Sequence, residues 1–301
     1  MKIAVTGAFS YSGKYITQRL LERGEEVITL TNHPDRPDPF NGKVKAFPLD
    51  FSNAGNMTET LKGTDVFINT YWVRFDHAGN TQSQAVENTR KLVKAVKAAG
   101  VKRIIHISIT NPSSGSPLPY FSGKAANEKF VIDSGLSYAI LRPTVLVGKE
   151  DILINNIAYL LRRFPFFVLP GDGSYPLQPV CIEDLADLAV DALYRKGNSI
   201  IDVVGPEIFT FKEMVALIAK VIDVKRPLIS SQPRLALIAA QFLSLIVGDV
   251  LLTSEEVDGL MTNLLVSQEP PRGKTRISDW LESNKNSIGV KYASELKRHY
   301  I

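Results

Sequence analysis

Tyr120 and Lys124 stand four residues apart in Tyr120-Phe121-Ser122-Gly123-Lys124, and Ser108 closes the apolar run Ile104-Ile105-His106-Ile107 a short loop upstream. On a helix, a spacing of four puts both side chains on one face, so an ammonium lies near a phenol and draws its pKa down towards the working pH. A phenol tuned in this way can take or give a proton. The plainer reading makes Tyr120 a partly buried amphipathic residue and Lys124 a solvated helix charge. The strand-end serine ahead of the pair favours the chemical reading, with Ser108, Tyr120 and Lys124 as the candidate catalytic group.

A second constellation opens the chain: Ile3-Ala4-Val5-Thr6-Gly7-Ala8-Phe9-Ser10-Tyr11-Ser12-Gly13-Lys14 reads as a buried strand, a glycine turn and a helix start, in that order. Gly7 permits the tight turn, and Gly13 lets the helix pack closely on the strand. The amides from Phe9 through Ser10, Tyr11 and Ser12 to Gly13 then cradle a pyrophosphate at the positive end of the helix. Ser10 occupies the place of the middle glycine, and it fits if its hydroxyl turns aside. The competing reading is a strand, turn and helix with no ligand. About twenty residues on, an NAD site presents an acid to the ribose 2′-hydroxyl. Here the second strand ends in Leu30-Thr31-Asn32-His33, and Asp35 comes late. Lys14, His33 and Arg36 can neutralise a 2′-phosphate, which favours NADP over NAD, unless they are merely solvated loop charges.

These residues need a scaffold that brings strand ends together. Short β-branched runs at Ile3 to Val5, Glu26 to Leu30, Val44 to Phe47, Val66 to Asn69, Val101 to Ile107 and Ser137 to Leu141 alternate with helical patterns. The helices are expected over Gly13 to Arg23, Gly79 to Ala99 and Tyr120 to Ser134. That alternation predicts an α/β fold, a Rossmann doubly wound parallel sheet with crossover helices. Prolines and glycines from Phe164 to Val180 predict an ordered loop segment. A helix over Glu183 to Tyr194, a strand over Ser199 to Val204 and a helix over Thr210 to Ile222 follow, and the rest reads as helical. The sheet domain is expected over 1–150 plus about 181–205. A smaller, mostly helical C-terminal substrate lobe takes about 151–180 plus 206–301.

Bulk properties narrow the classes. The chain has 301 residues, 45% hydrophobic and 22% charged, the composition of an ordinary globular protein. Its net charge of +4 comes from scattered Lys and Arg, with no basic stripe, so nucleic acid is not an expected partner. Cys181 is the one cysteine, which suits a reducing compartment, and Met1 leads straight into a strand without the pattern of a secretory signal. A cytoplasmic location is the expectation. His33, His77, His106 and His299 have no metal-ligand spacing, so no metal site is expected. The apolar stretch Leu235 to Leu252 is broken by Gln241, Ser244, Gly248 and Asp249, which reads as a buried or interfacial helix.

Together, Thr6-Gly7-Ala8-x-x-x-x-Gly13, Ser108, Tyr120-x-x-x-Lys124 and Leu141-Arg142-Pro143 resemble the extended or atypical short-chain dehydrogenases/reductases, over nearly the whole chain. The stretch His106 to Glu128 is most similar to the branch that holds the nucleotide-binding accessory subunit of respiratory complex I, NmrA-like proteins and bacterial proteins called NAD-dependent epimerase/dehydratase. The resemblance implies that Tyr120 exchanges a proton with the substrate oxygen, that Lys124 also holds the nicotinamide ribose, and that Ser108 orients the reacting group. It further implies cofactor contacts from Asp50 and Phe51 near the adenine, from Asn69, Thr70 and Tyr71 after the fourth strand, and from Pro143 to Val145 near the nicotinamide. It gives Gln178 a polar substrate contact and Asn88 a place in a proton relay, although an exposed helical asparagine is an even alternative.

Three functions fit this reading. One is an NAD(P)-dependent oxidoreductase or epimerase acting on a hydroxyl or carbonyl of a small molecule, with an apolar substrate conceivable. The second is a non-catalytic nucleotide-binding regulator or assembly factor. The third is a membrane-peripheral partner protein that uses the apolar segment at 235–252.

Overall fold

The computed structural model describes residues 1–299. The chain begins with β1 (Lys2–Thr6), α1 (Tyr11–Glu22), β2 (Glu26–Thr31), β3 (Lys45–Pro48), α2 (Ala54–Leu61), β4 (Val66–Asn69), α3 (Gln82–Ala98), β5 (Arg103–Ile107), α4 (Pro119–Asp133) and β6 (Ser137–Pro143). It continues through β7 (Leu146–Val147), α5 (Leu153–Arg163), β8 (Phe167–Pro170), β9 (Pro176–Leu177) and β10 (Val180–Cys181) before α6 (Ile182–Tyr194) and β11 (Ser199–Val203). The remainder is β12 (Phe209–Thr210), α7 (Phe211–Val221), β13 (Leu228–Ser231), α8 (Pro233–Val247), α9 (Ser254–Met261), α10 (Ile277–Asn284) and α11 (Glu295–His299). Two compact units result, one of Met1–Pro143 with Ile182–Val203 and one of Thr144–Cys181 with Val204–Ile301.

The first unit is a seven-stranded parallel sheet in the order β11-β6-β5-β4-β1-β2-β3. Its central strands read as continuous apolar runs because helices cover both faces. On one face Ala4, Ile28, Leu30, Phe67, Ile104 and Ile140 pack with Met57 and Leu61 of α2, Leu92, Val93 and Val96 of α3, and Val131 of α4. Elsewhere α1 lies along α6, joined by Arg19 to Glu183 and Asp187 and by Arg23 to Asp191. The strand order runs outward in opposite directions from β1 and β4, and the crevice this opens at their carboxyl ends is where sheets of this type take a ligand.

The second unit gathers around Ile154, Ile157 and Leu161 of α5 and Met214, Val215 and Ile218 of α7, with Ile277 and Leu281 of α10. A capping box at Thr210 and Glu213 starts α7, so the helix opens at Phe211, one residue inside the expected Thr210. Two expectations are corrected here. The Pro/Gly-rich stretch 164–180 holds strands as well as loop, since β8 pairs with β13, β9 with β12 and β10 with β7. The apolar stretch 235–252 forms α8 only as far as Val247, and it is buried on one face alone: Ala236 and Ala240 are buried and Leu243 packs on the core, whereas Leu235, Ile238 and Phe242 are exposed.

Candidate functional site

The β1–α1 turn is built by two glycines. Gly7 has φ of +62°, a left-handed conformation that glycine alone adopts at no steric cost. At Gly13 a Cβ would stand 2.1 Å from the Gly7 carbonyl oxygen, so the first turn of α1 rests directly on the loop. Ser10 is the N-cap of α1, yet its hydroxyl does not cap the helix: it turns back and donates to the Gly7 oxygen at 2.6 Å. The serine in place of the middle glycine is thus folded against the turn. The first-turn amides of Ser12 and Gly13 have no acceptor within the helix, and the positive end of α1 is left facing the crevice. Phe9 packs towards Phe40 and Tyr11 against Tyr15. This cradle fits a pyrophosphate.

Around it lie the remaining residues expected at a dinucleotide. Asn32 and His33 follow directly on β2, and the His33 carbonyl accepts from Arg36 N at 3.2 Å, so Asn32, His33 and Arg36 share one turn at that strand's carboxyl end. Asp50 follows β3 and accepts from the amide and hydroxyl of Ser52, which hold its carboxyl below the usual range. Phe51 leans on Tyr71 with ring centroids 5.0 Å apart. Asn69 is buried and its amide is engaged at both ends: the carbonyl accepts from Tyr71 N and Thr6 Oγ1, and the NH2 donates to His106 Nδ1 at 3.1 Å. Thr70 donates to the Thr6 carbonyl. Asn69 and Thr70 therefore clamp the ends of β1 and β4 together. Pro143 ends β6 with its carbonyl taken by Thr110 N, while Val145 lies in the second unit, where its carbonyl accepts from Val180 N.

Because Asn69 donates to His106 Nδ1, that nitrogen is the acceptor and His106 carries its proton on Nε2. Burial, with the Lys124 charge nearby, pushes the imidazole down to about 3, so the ring is neutral. His106 is a fully buried residue of β5, hydrogen-bonded at Nδ1 and with no partner at Nε2 among the described residues.

Helix α4 carries the pair. Lys124 is only 4% exposed, and its Nζ donates to the Ile107 carbonyl at 3.1 Å and lies 4.9 Å from the centre of the Trp72 ring. Desolvation lowers it to about 7, against an opposing pull from Glu128. Glu128 itself is held by a two-point pair with Arg142, Nε to Oε1 at 2.9 Å and NH2 to Oε2 at 2.6 Å. Tyr120 meets the same indole edge to face, with ring centroids 5.6 Å apart. The contact is close because residue 123 is glycine: a Cβ there would fall 2.7 Å from Trp72 Cη2. Ser108 is buried at the end of β5 with no hydrogen-bond partner for its hydroxyl among the described residues. Tyr120, Lys124 and Trp72 are thus one packed group, with Ser108 following the strand that holds the lysine.

The packing of Trp72 on this pair was not legible from spacing; the signal lay in Gly123, a small residue between Tyr120 and Lys124. Asn88 is corrected: it is buried, and it donates to the Tyr71 hydroxyl at 3.0 Å while accepting from Gln84 Nε2. Gln178 is corrected too, since its amide donates to the Gly205 carbonyl and accepts from Ser267 N inside the second unit. Neither side chain is an open polar group.

A family model described as NAD(P)H-binding matches residues 7–159, from the first glycine of the turn to the middle of α5. In sequence the chain is similar to "NADH dehydrogenase [ubiquinone] 1 alpha subcomplex subunit 9, mitochondrial" of Arabidopsis thaliana, 26% identical over 224 residues, which are 71% of this chain and 56% of that protein. The chain thus spans about half the length of that relative. In structure it is similar to UDP-glucose 4-epimerase of Thermotoga maritima, with TM-score 0.72 and 15% identity over 95% of this chain and 98% of the other. It is also similar to UDP-glucuronic acid 4-epimerase of Bacillus cereus in complex with NAD, with TM-score 0.70 and 20% identity over 96% and 98% of the two chains. At such identities the two structures share the fold.

Proposed function

The chain belongs to the NAD(P)H-binding family, with the fold of extended short-chain dehydrogenases/reductases, and from that premise we propose that it is an oxidoreductase, or an epimerase working by internal oxidation, that acts on a hydroxyl or carbonyl group. The observation that carries this reading is Lys124. A solvated helix lysine would keep its charge, whereas this one is buried, held near neutral pH, and packed with Tyr120 on a common indole.

In the proposed site the turn from Gly7 to Gly13 binds the pyrophosphate through backbone amides, and Ser10 leaves room for it. The dinucleotide, when bound, supplies the carbon that accepts or returns a hydride. Tyr120 gives or takes the proton at its phenolic oxygen, and the Lys124 ammonium favours the phenolate when charged. Ser108 Oγ, buried and without a partner among the described residues, offers a hydrogen bond to the reacting oxygen. Asn32, His33 and Arg36 stand after β2 where an NAD site would offer an acid, and with Lys14 they support NADP as the preferred cofactor.

A second reading, a nucleotide-binding accessory or regulatory protein without turnover, is supported by the complex I subunit among the relatives and by the Trp72 indole set against both Tyr120 and Lys124. Titration with NADPH and NADH, followed by single-turnover hydride transfer to a panel of carbonyl compounds, separates the two. The enzyme reading expects NADPH binding that Tyr120→Phe leaves within about twofold, with turnover reduced by about 10²–10⁴. Tight binding without turnover in the unmodified chain selects the second reading, and binding of neither nucleotide refutes both.

A further inference from the structure

Helix α8 carries its largest apolar side chains outward. Leu235 and Ile238 are each 56% exposed and Phe242 is 71% exposed. Their spacings of three and four put them on one face. The opposite face is the packed one, with Ala236 and Ala240 buried and Leu243 against the core of the second unit. A single exposed leucine on a surface is ordinary, whereas three bulky side chains in a row with no charge from Leu235 to Gly248 form a continuous apolar stripe.

The charges around the stripe indicate its partner. From residue 224 to 248 there are three cations, Lys225, Arg226 and Arg234, and no carboxylate. Arg226 is tied to the Leu161 carbonyl at 3.1 Å. Lys225 and Arg234 are exposed and have no ion pair among the described residues. At the other end of the helix, the Asp249 carboxylate accepts from the amides of Glu295 and Leu296 at 2.7 and 3.2 Å. That clamp fastens α11 beside the end of α8 and brings exposed Lys297, followed in sequence by Arg298, to the same end. The Asp249 carboxylate, next in sequence after Gly248, is thereby occupied with backbone.

We propose that α8 docks this unit in the plane of an anionic lipid bilayer, with Leu235, Ile238 and Phe242 entering the acyl boundary and Lys225, Arg234 and Lys297 meeting the headgroups. An apolar face flanked by cations is the chemistry of a helix that lies in such an interface. Among the described residues no helix is long and apolar enough to cross a membrane, so the contact is peripheral. A second copy of the chain fits less well, since a two-fold contact along the stripe would bring its own cations together.

The test is flotation of the full chain with vesicles of phosphatidylcholine alone or with about one-third phosphatidylglycerol. The expected result is co-flotation with the anionic vesicles, at least about tenfold weaker on phosphatidylcholine and reversed by high salt. Ile238→Ser/Phe242→Ser should lower binding by about tenfold or more at an unchanged melting temperature, and Lys225→Gln/Arg234→Gln should lower it with a reduced salt dependence. Absence of flotation with anionic vesicles would overturn the proposal, as would flotation that the serine variant does not reduce. Light scattering that reports a dimer, converted to monomer by the serine variant, would overturn it in favour of a second copy over the stripe.

Discussion

Replacing Lys124 by methionine keeps the length and apolar stem of the side chain and removes only the group that titrates. In the folded chain burial lowers this lysine from 10.5 to about 7. Between those two values the unfolded chain holds a proton that the folded chain has released, so the stability of the unmodified protein rises with pH across that window. The burden is fully present below about pH 7, where the folded state must keep an ammonium away from water, and it disappears above the unfolded value. Integrated from about pH 6 to about pH 9.5, a shift of this size corresponds to about 3 kcal/mol. Lys124→Met lacks that dependence. Denaturant melts of both proteins at the two pH values should therefore give a stability difference that changes by about 3 kcal/mol, with the methionine variant favoured at the acid end. An unchanged difference would refute the reasoning, because it would mean that Lys124 keeps its ordinary pKa and that the group packed on Trp72 is a permanent cation. The same titration bears on the proposed chemistry, since a lysine that switches near neutrality would impose its own limb on the pH–rate profile.

Gly13→Ala places a methyl group 2.1 Å from the Gly7 carbonyl; thermal melting should report a loss of about 2 kcal/mol or more, and fluorescence titration a loss of dinucleotide affinity. Arg36→Ala should weaken NADPH by about tenfold while leaving NADH within about twofold, read by the same titration, and equal effects on both nucleotides would remove the case for a 2′-phosphate contact. In a Trp280→Phe background Trp72 is the sole tryptophan. Its emission should shift when dinucleotide binds beside Tyr120 and Lys124, and Gly123→Ala, whose Cβ would meet the indole at 2.7 Å, should shift it with no nucleotide present.

The elements of the first unit are legible because each is marked by a local pattern. Runs such as Val66 to Ile68 and Ile104 to Ile107 are rich in branched apolar residues and lie in strands buried on every residue, as strands covered on both faces are, and Gly7 and Gly13 punctuate the first turn at the spacing a helix on a strand demands. Helix α2 went unread: its eight residues, capped by Asn53, bury only Met57 and Leu61 and so carry almost no apolar stripe. The strands inside 164–180 were hidden for a related reason. Two of them are two residues long, and each is defined by a distant partner rather than by its own composition. At the site, Tyr120 and Lys124 could be paired from spacing alone, but the burial of Lys124 depends on Trp72, fifty-two positions earlier, lying over Gly123. Asn88 looked like an exposed helix residue because its partner, Tyr71, arrives from a loop. The outward face of α8 could not be told from an inward one, since a stripe of leucine, isoleucine and phenylalanine has the same periodicity whichever way it points.

The order in which the first unit is assembled also has a cost during synthesis. Strand β6 is paired on one side by β5, and its other edge waits for β11, whose residues 199 to 203 pair with 139 to 143. Helix α1, which carries the glycine turn, likewise waits for α6 to arrive with Glu183, Asp187 and Asp191. Between the two, the ribosome must deliver the thirty-eight residues from Thr144 to Cys181, which belong to the other unit. While they emerge, β6 presents an unpaired edge and α1 an uncovered side, both of them surfaces that invite wrong association. A nascent chain halted near residue 180 should therefore engage a holding chaperone, and one released beyond residue 203 should let it go.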